Sequence, residues 1–394
     1  MAYGSQNMPA ATGQEAGRPQ AQTTIEAAGG PFIRHSQAGR APQYTVSGTA
    51  FGGVITQPLV ARPGYFRNLR VNHTLVTGGT ITSGTIQADA PYNVNSLIQL
   101  KDAFGTPLIT ADGYSVSNLL QIFSGGFGVN NFTNAPSNLP SWSSVSNTTG
   151  AGSFSYALPL EFSKAYGVIS AANASLLPTL QFNLNSATAV FGSGSSGSYP
   201  TISTTVDSDF YWLPEGTVCE PPGLGTTRQW VLQQLNPTVA SAGSARLQLP
   251  RLGGYLDNLI FISRDSTGAR ADILPTSNNR LQLYVDGVPL IDTTTNELYD
   301  DMAIQYGLST ASTTGISGVN RPTGTFAFSR KTSLNQQSLG LLDTGEAYLS
   351  TNPGTLVELN ASPWATITNS PATISCLVGQ VVPTGSIVQG LPEV

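Results

Sequence analysis

The sequence predicts an all-β protein built as two tandem copies of one β-domain, and three observations carry that prediction. Two stretches about 180–190 residues apart repeat each other at matched apolar positions. Charged residues make up only 10% of the chain, against about 25% in an average globular protein. Glycine (42 residues) and proline (26 residues) are both abundant. Few charges with many turn formers indicate short strands and elaborate loops, and a period this long exceeds that of a solenoid repeat. At 394 residues the chain is long enough to give each of two domains a core of ordinary size.

The repeat starts with Leu59, Gly64-Tyr65 and Asn68-Leu69, which return as Leu249, Gly254-Tyr255 and Asn258-Leu259. Ala88-Asp89 then matches Ala271-Asp272, and Ile98-Gln99-Leu100 matches Leu281-Gln282-Leu283. The longest agreement runs without a gap from Gly105 to Gly125 against Gly287 to Gly307, with Pro107-Leu108-Ile109 over Pro289-Leu290-Ile291. Similar turns in unrelated β-domains would share glycines and prolines, but not these apolar positions.

Residues 1–43 hold no sustained helical or strand period and read as a flexible N-terminal arm. Its last part, Pro31 through Arg40, concentrates the arm's aromatic and cationic groups. Two readings stand side by side there: an anchor for a neighbouring subunit or a membrane surface, and a short solvated tail. From Tyr44 onward the pattern is β. Thr45 to Phe51 alternates loosely, Phe66 to Val76 sets Phe66, Leu69, Val71 and Leu75 among polar residues, and Leu180 to Leu184 alternates cleanly, as does Val357 to Asn360 in the second half. Turn signals at Gly78-Gly79, Asp112-Gly113 and Asp286-Gly287 break the runs at the short intervals of a β-sandwich.

Helix is scarce. Asn296 to Tyr306 is predicted helical, with Thr295 as cap, Glu297 in the first turn, Leu298, Met302 and Tyr306 on one face, and Gly307 ending it. Its counterpart is Ser115 to Ser124, which carries Val116, Leu119, Leu120 and Phe123. Long polar loops are expected at Ser124 to Gly152 and Gly192 to Asp207. The boundary between the halves falls in the Pro/Gly cluster from Cys219 to Gly225, which divides the chain into 1–43, 44–222 and 223–394.

Chemistry is thinly represented, and the sequence names no catalytic, cofactor-binding or metal-binding residue. The two histidines, His35 and His73, build neither a triad nor a zinc cluster within one subunit. Gly192 to Gly197 satisfies GxGxxG, but Tyr199-Pro200 follows it where a phosphate-binding helix would have to start. Asp300 and Asp301 are adjacent on the predicted helix and point apart, and nothing pairs Glu161, Glu297 and Asp343 as glycosidase carboxylates. A net charge of -5 without a basic cluster speaks against direct nucleic-acid binding. Neither a signal peptide nor a membrane span is indicated. Cys219 and Cys376 read as free thiols.

Such architecture without visible chemistry favours a structural protein. The ordered series Gly64-Tyr65-Phe66-Arg67-Asn68-Leu69, Ala88 to Asn93, Ile98-Gln99-Leu100 with Asp102 and Gly105, and Phe154 to Phe162 with Leu158-Pro159-Leu160 resembles the first jelly roll of double jelly-roll major capsid proteins from tectivirus-type, internal-membrane bacteriophages. The resemblance continues from Trp230 through Leu359. It implies two eight-stranded jelly rolls and a homotrimeric, pseudo-hexagonal capsomer packed against neighbouring capsomers and penton or minor capsid proteins in an icosahedral virion shell. Assembly in the host cytoplasm and an arm facing an internal membrane are implied as well. Residues 1–30 hold no amphipathic helix, so tethering between subunits stands beside membrane contact. The alternative is a phage spike or carbohydrate-binding tandem jelly roll that uses Tyr211-Trp212 or Trp142 as an aromatic platform.

Overall fold

The structure is a computed structural model and describes residues 32–76, 79–83, 87, 89–120, 152–162, 165–171, 175–192, 194–214, 220–221, 226–235, 246–249, 254–273, 280–306, 323–329, 349–351, 354–360 and 373–383. The first half contributes β1 (Gln37–Thr49), β2 (Val54–Pro58), β3 (Tyr65–Val76), β4 (Thr80–Ser83), β5 (Asn95–Lys101), β6 (Pro107–Ala111), β7 (Gly152–Pro159), β8 (Ile169–Ser170), β9 (Thr179–Leu184), β10 (Ser196–Ser198) and β11 (Thr201–Trp212). The second half contributes β12 (Thr226–Leu235), β13 (Arg246–Gln248), β14 (Tyr255–Arg264), β15 (Arg280–Val285), β16 (Val288–Thr294), β17 (Thr325–Ser329), β18 (Leu349–Ser350), β19 (Val357–Asn360) and β20 (Thr373–Pro383). The helices are α1 (Phe32–His35), α2 (Ser115–Leu119, of π pitch), α3 (Ala187–Phe191) and α4 (Thr295–Tyr306), with a 3-10 turn at Tyr92–Val94.

Both halves solve the same topological problem in the same way. In the first, β1-β11-β3-β7 forms one sheet and β2-β9-β5-β6 the other; in the second, the matching sheets are β12-β20-β14-β17 and β13-β19-β15-β16. With the short accessory strands β4, β8, β10 and β18 set aside, eight strands remain in each half, ordered 1-8-3-6 against 2-7-4-5. That order is an eight-stranded jelly roll. The repeated sequence positions coincide in it: Tyr65 and Tyr255 open the third strand of their rolls, and Leu100 and Leu283 lie buried on the fourth.

Alternation places the cores. β9 reads half-buried, buried, half-buried along its length, which puts Leu180, Phe182 and Leu184 inside the first roll. They join Phe66, Leu69, Val71, Ile98 and Leu100 in an apolar cluster that continues into the second roll through Trp230, Leu259, Phe261 and Leu377. β14 is buried at every position from Leu256 to Ser263, so both its faces are covered.

Three expectations are corrected. The arm does not extend to residue 43: Phe32–His35 is helical and Gln37–Thr49 is a strand paired with β11 along its length. The expected loop from Gly192 to Asp207 contains β10 and the first half of β11. That stretch is polar, yet Ile202, Thr204 and Val206 point inward at a period of two, and the outward hydroxyls of Ser203 and Thr205 meet Ser47 and Thr45 across the ladder. The cap of α4 is Thr294 and not Thr295: the Thr294 hydroxyl accepts from Glu297 N (3.2 Å) while Glu297 Oε2 accepts from Thr294 N (2.7 Å), a reciprocal capping box. The loop at 124–152 and Cys219, Trp142 and Asp343 lie, apart from Gly152, outside the described residues.

Candidate functional site

Among the described residues the distinctive geometry lies where the two rolls meet and at their ends. β6 is an edge of the first roll and β12 an edge of the second, and they pair in parallel at Ile109–Trp230 and Thr110–Val231. The two open edges close on each other, which removes two sites of unwanted strand addition. The sheets thereby join into one of nine strands, eight in line and β18 paired beside β14 as the ninth. Because β6 and β12 run the same way, the rolls point the same way. The turns after β2, β5 and β13 and the β15–β16 hairpin therefore open on one end of the molecule, together with α1.

Among the described residues, that end carries most of the large apolar side chains left in solvent. Ile33, Val60, Phe104, Leu176, Tyr255 and Val288 are exposed there, whereas Val54 and Val76 lie at the opposite end. Phe104, 77% exposed, sits on a stiff hairpin whose Asp102 carboxylate accepts from Phe104 N (2.9 Å) and Thr106 N (2.7 Å). The adjoining α1 is pinned by Phe32, which is buried edge-on against Tyr65 and Tyr211 with Ala165 and Val168 around it. The aromatic residue of the predicted anchor is thus held by its own roll.

Two ion pairs brace equivalent bulges. The β3–β11 ladder skips Arg67 and the β14–β20 ladder skips Asp257. Arg67 Nε donates to Glu161 Oε2 (2.5 Å), and Glu161 Oε1 accepts from Tyr211 Oη (2.9 Å) and Ala165 N (2.7 Å). Burial pushes the Tyr211 hydroxyl well above its ordinary pKa, and the neighbouring Glu161 carboxylate adds to the shift. In the second roll Arg228 pairs with Asp257 at 1% and 0% side-chain exposure, with the guanidinium 4.5 Å from the Trp230 ring centroid. Glu161 is therefore a structural carboxylate, and Glu297 belongs to the capping box, where the Thr294 N–H holds its carboxyl below the usual range. Asp300 and Asp301 are exposed on α4. Tyr211, proposed as an aromatic platform, is buried beneath Arg67 and Phe32.

His73 is the one histidine inside a core among the described residues, and it is satisfied there. The Asn95 amide donates to Nε2 (3.1 Å), so Nδ1–H donates to Thr204 Oγ1 (2.8 Å), and Tyr156 Oη lies 2.9 Å from Nε2. Burial draws its pKa down to about 3. Among the described residues no group of three or more His, Cys, Asp or Glu side chains is placed to hold a metal ion. No described helix is long and apolar enough to cross a membrane.

No family model and no curated protein matches the sequence. Solved structures do match the fold. The MCP of Sulfolobus turreted icosahedral virus is 18% identical at a TM-score of 0.58, over 90% of this chain and 100% of that one. PBCV-1 VP54 is 11% identical at a TM-score of 0.52, over 88% of this chain and 93% of that one. The PBCV-1 virus capsid gives 11% and 0.51 over the same shares. The chain has the double jelly-roll fold. Its neighbours in structure are double jelly-roll capsid proteins of viruses, and the likeness runs through both rolls. Identities this low establish the shared fold, and the function is argued separately.

Proposed function

We propose that this chain is a viral major capsid protein of the tectivirus type, whose homotrimers form pseudo-hexagonal capsomers tiling an icosahedral shell. The observation that carries the reading is the pair of like-oriented jelly rolls in one chain, joined through β6 and β12. Three such chains around an axis present six similar lobes, which tile a surface with local hexagonal symmetry from a single subunit type. The likeness to the MCP of Sulfolobus turreted icosahedral virus over 90% of the chain supports it.

On this reading the role is structural and not catalytic, the two domains divide near residue 222 with β1 belonging to the first, and the partners are two further copies, neighbouring capsomers and penton or minor capsid proteins in the virion. The end bearing α1 and Phe104 faces the shell interior, where the arm meets neighbouring subunits or an internal membrane. The nucleic acid is not contacted directly. Assembly proceeds in the host cytoplasm.

The test is the solution mass by light scattering, followed by electron microscopy of the same peak. A mass of three chains with six-lobed, pseudo-hexagonal particles is expected. A monomer, or an elongated trimer without hexagonal outline, overturns the reading in favour of a spike. Deletion of the arm should stop at residue 31, because removal of residues 1–40 would also take α1 and the first four residues of β1. Soluble trimers that fail to close shells are expected from the shorter deletion.

A further inference from the structure

Asp89, in the connection before β5 of the first roll, is held by two arginines of the second. Its Oδ2 accepts from Arg264 Nη1 (2.6 Å) and its Oδ1 from Arg270 Nε (2.8 Å). Arg270 Nη1 also donates to the Tyr114 hydroxyl (2.7 Å), and the Arg270 guanidinium lies 4.5 Å from the Tyr114 ring centroid. Asp89 is only 13% exposed, so solvent screens these pairs less than ordinary surface bridges.

Both sides of this contact are built in advance. Arg264 and Arg270 are bridged to each other across a turn in which Asp265 Oδ1 accepts from Thr267 N (2.8 Å) and Ala269 N (3.1 Å). On the first roll, Asp89 O accepts from Asn93 N (3.1 Å), and the Tyr114 ring stands edge-on to Tyr92. The repeat sharpens the point. Asp272, the counterpart of Asp89, serves its own roll by accepting from Gly324 N (2.5 Å), so the same Ala-Asp position works within one roll and between rolls in the other.

The β6–β12 seam has two paired rungs. Two adjacent rungs define one line and leave rotation about it, and the apolar contacts across the seam are non-directional. A second point of attachment away from that line removes the rotation. We infer that Asp89, Arg264, Arg270 and Tyr114 form an inter-roll clamp that sets the angle between the rolls, and that this angle determines whether three chains close into a six-lobed ring. Its consequence for assembly rests on the capsid reading; the angle itself does not.

The test uses the full chain with Cys219→Ser and spin labels at Val54→Cys and Val288→Cys, exposed positions on different rolls. Labelled chain is mixed with excess unlabelled chain, so that only distances within one chain are read. Asp89→Ala and Arg270→Lys should each broaden the label-to-label distance distribution at least twofold and abolish the hexagonal outline, while circular dichroism stays that of the parent. Arg270→Lys keeps the charge but loses the fork and the ring stacking, and it remains informative should Asp89→Ala fail to fold. An unchanged width in either folded variant overturns the clamp. Broad distributions with intact hexagonal trimers overturn its part in assembly. A parent chain with a narrow distribution but no trimer overturns the capsid reading and leaves the clamp standing.

Discussion

Arg67 and Asp257 occupy the same β-bulge in the two rolls and carry opposite charges, each neutralised by a partner from a different strand or loop. The second pair is the deeper one, and removing one of two buried charges strands the other in low dielectric. Asp257→Ala should therefore cost on the order of 3–5 kcal/mol, and the double replacement Arg228→Met with Asp257→Leu should recover most of that. Glu161→Ala should cost less, since Arg67 is 29% exposed and reaches water. Urea titrations of the variants check all three; equal losses from Asp257→Ala and the double variant would count against the pair as the cause.

His73 gives the first roll an acid limit. Its folded pKa of about 3 lies below the ordinary 6.5, so between those values the unfolded chain binds the proton and the folded chain does not. The stability His73 contributes is complete above pH 6.5 and is lost as pH falls toward 3, at roughly 1.4 kcal/mol per pH unit. His73→Gln should flatten that slope, whatever it does to stability at neutral pH. The check is the unfolding free energy measured across pH 4 to 7 for parent and variant.

Phe32 holds α1 to its roll through Tyr65 and Tyr211. Truncation to alanine should cost about 3 kcal/mol of that docking, and because α1 is a single short turn held chiefly by this side chain the loss should appear as local opening. Trypsin cleavage after Arg34 should rise by about tenfold or more with little change in the global unfolding midpoint. Unchanged cleavage would mean that α1 is held by something other than Phe32.

Thr294 and Thr295 should respond in opposite ways. Thr294→Ala breaks the capping box and should cost about 1 kcal/mol. Thr295 is buried with no hydrogen-bond partner for its hydroxyl, so Thr295→Val should be neutral or stabilising. Thermal midpoints of the two variants decide between the caps.

Several of these features could be read from the chain and several could not. The strand at Thr179–Leu184 was legible because alternation is a local consequence of one buried face. Thr201–Asp207 was not, because serine and threonine mask the same alternation when hydropathy is the guide. Thr295 looked like the cap because three threonines stand in a row, and only the reciprocal bonds of Glu297 select Thr294. Gly192 to Gly197 reads as a loop in the sequence, yet β10 begins inside it at Ser196 and β11 follows at Thr201.

The sequence by itself determined the duplication, the all-β class and the poverty of chemistry, because repeats, alternation and composition are written within short windows of chain. Only the tertiary structure decided that β6 meets β12, that Arg264 and Arg270 converge on Asp89, and that the bulges at Arg67 and Asp257 recruit partners. Those relationships join residues up to 181 positions apart. Register and packing across that distance depend on every strand between them, and no local pattern encodes them.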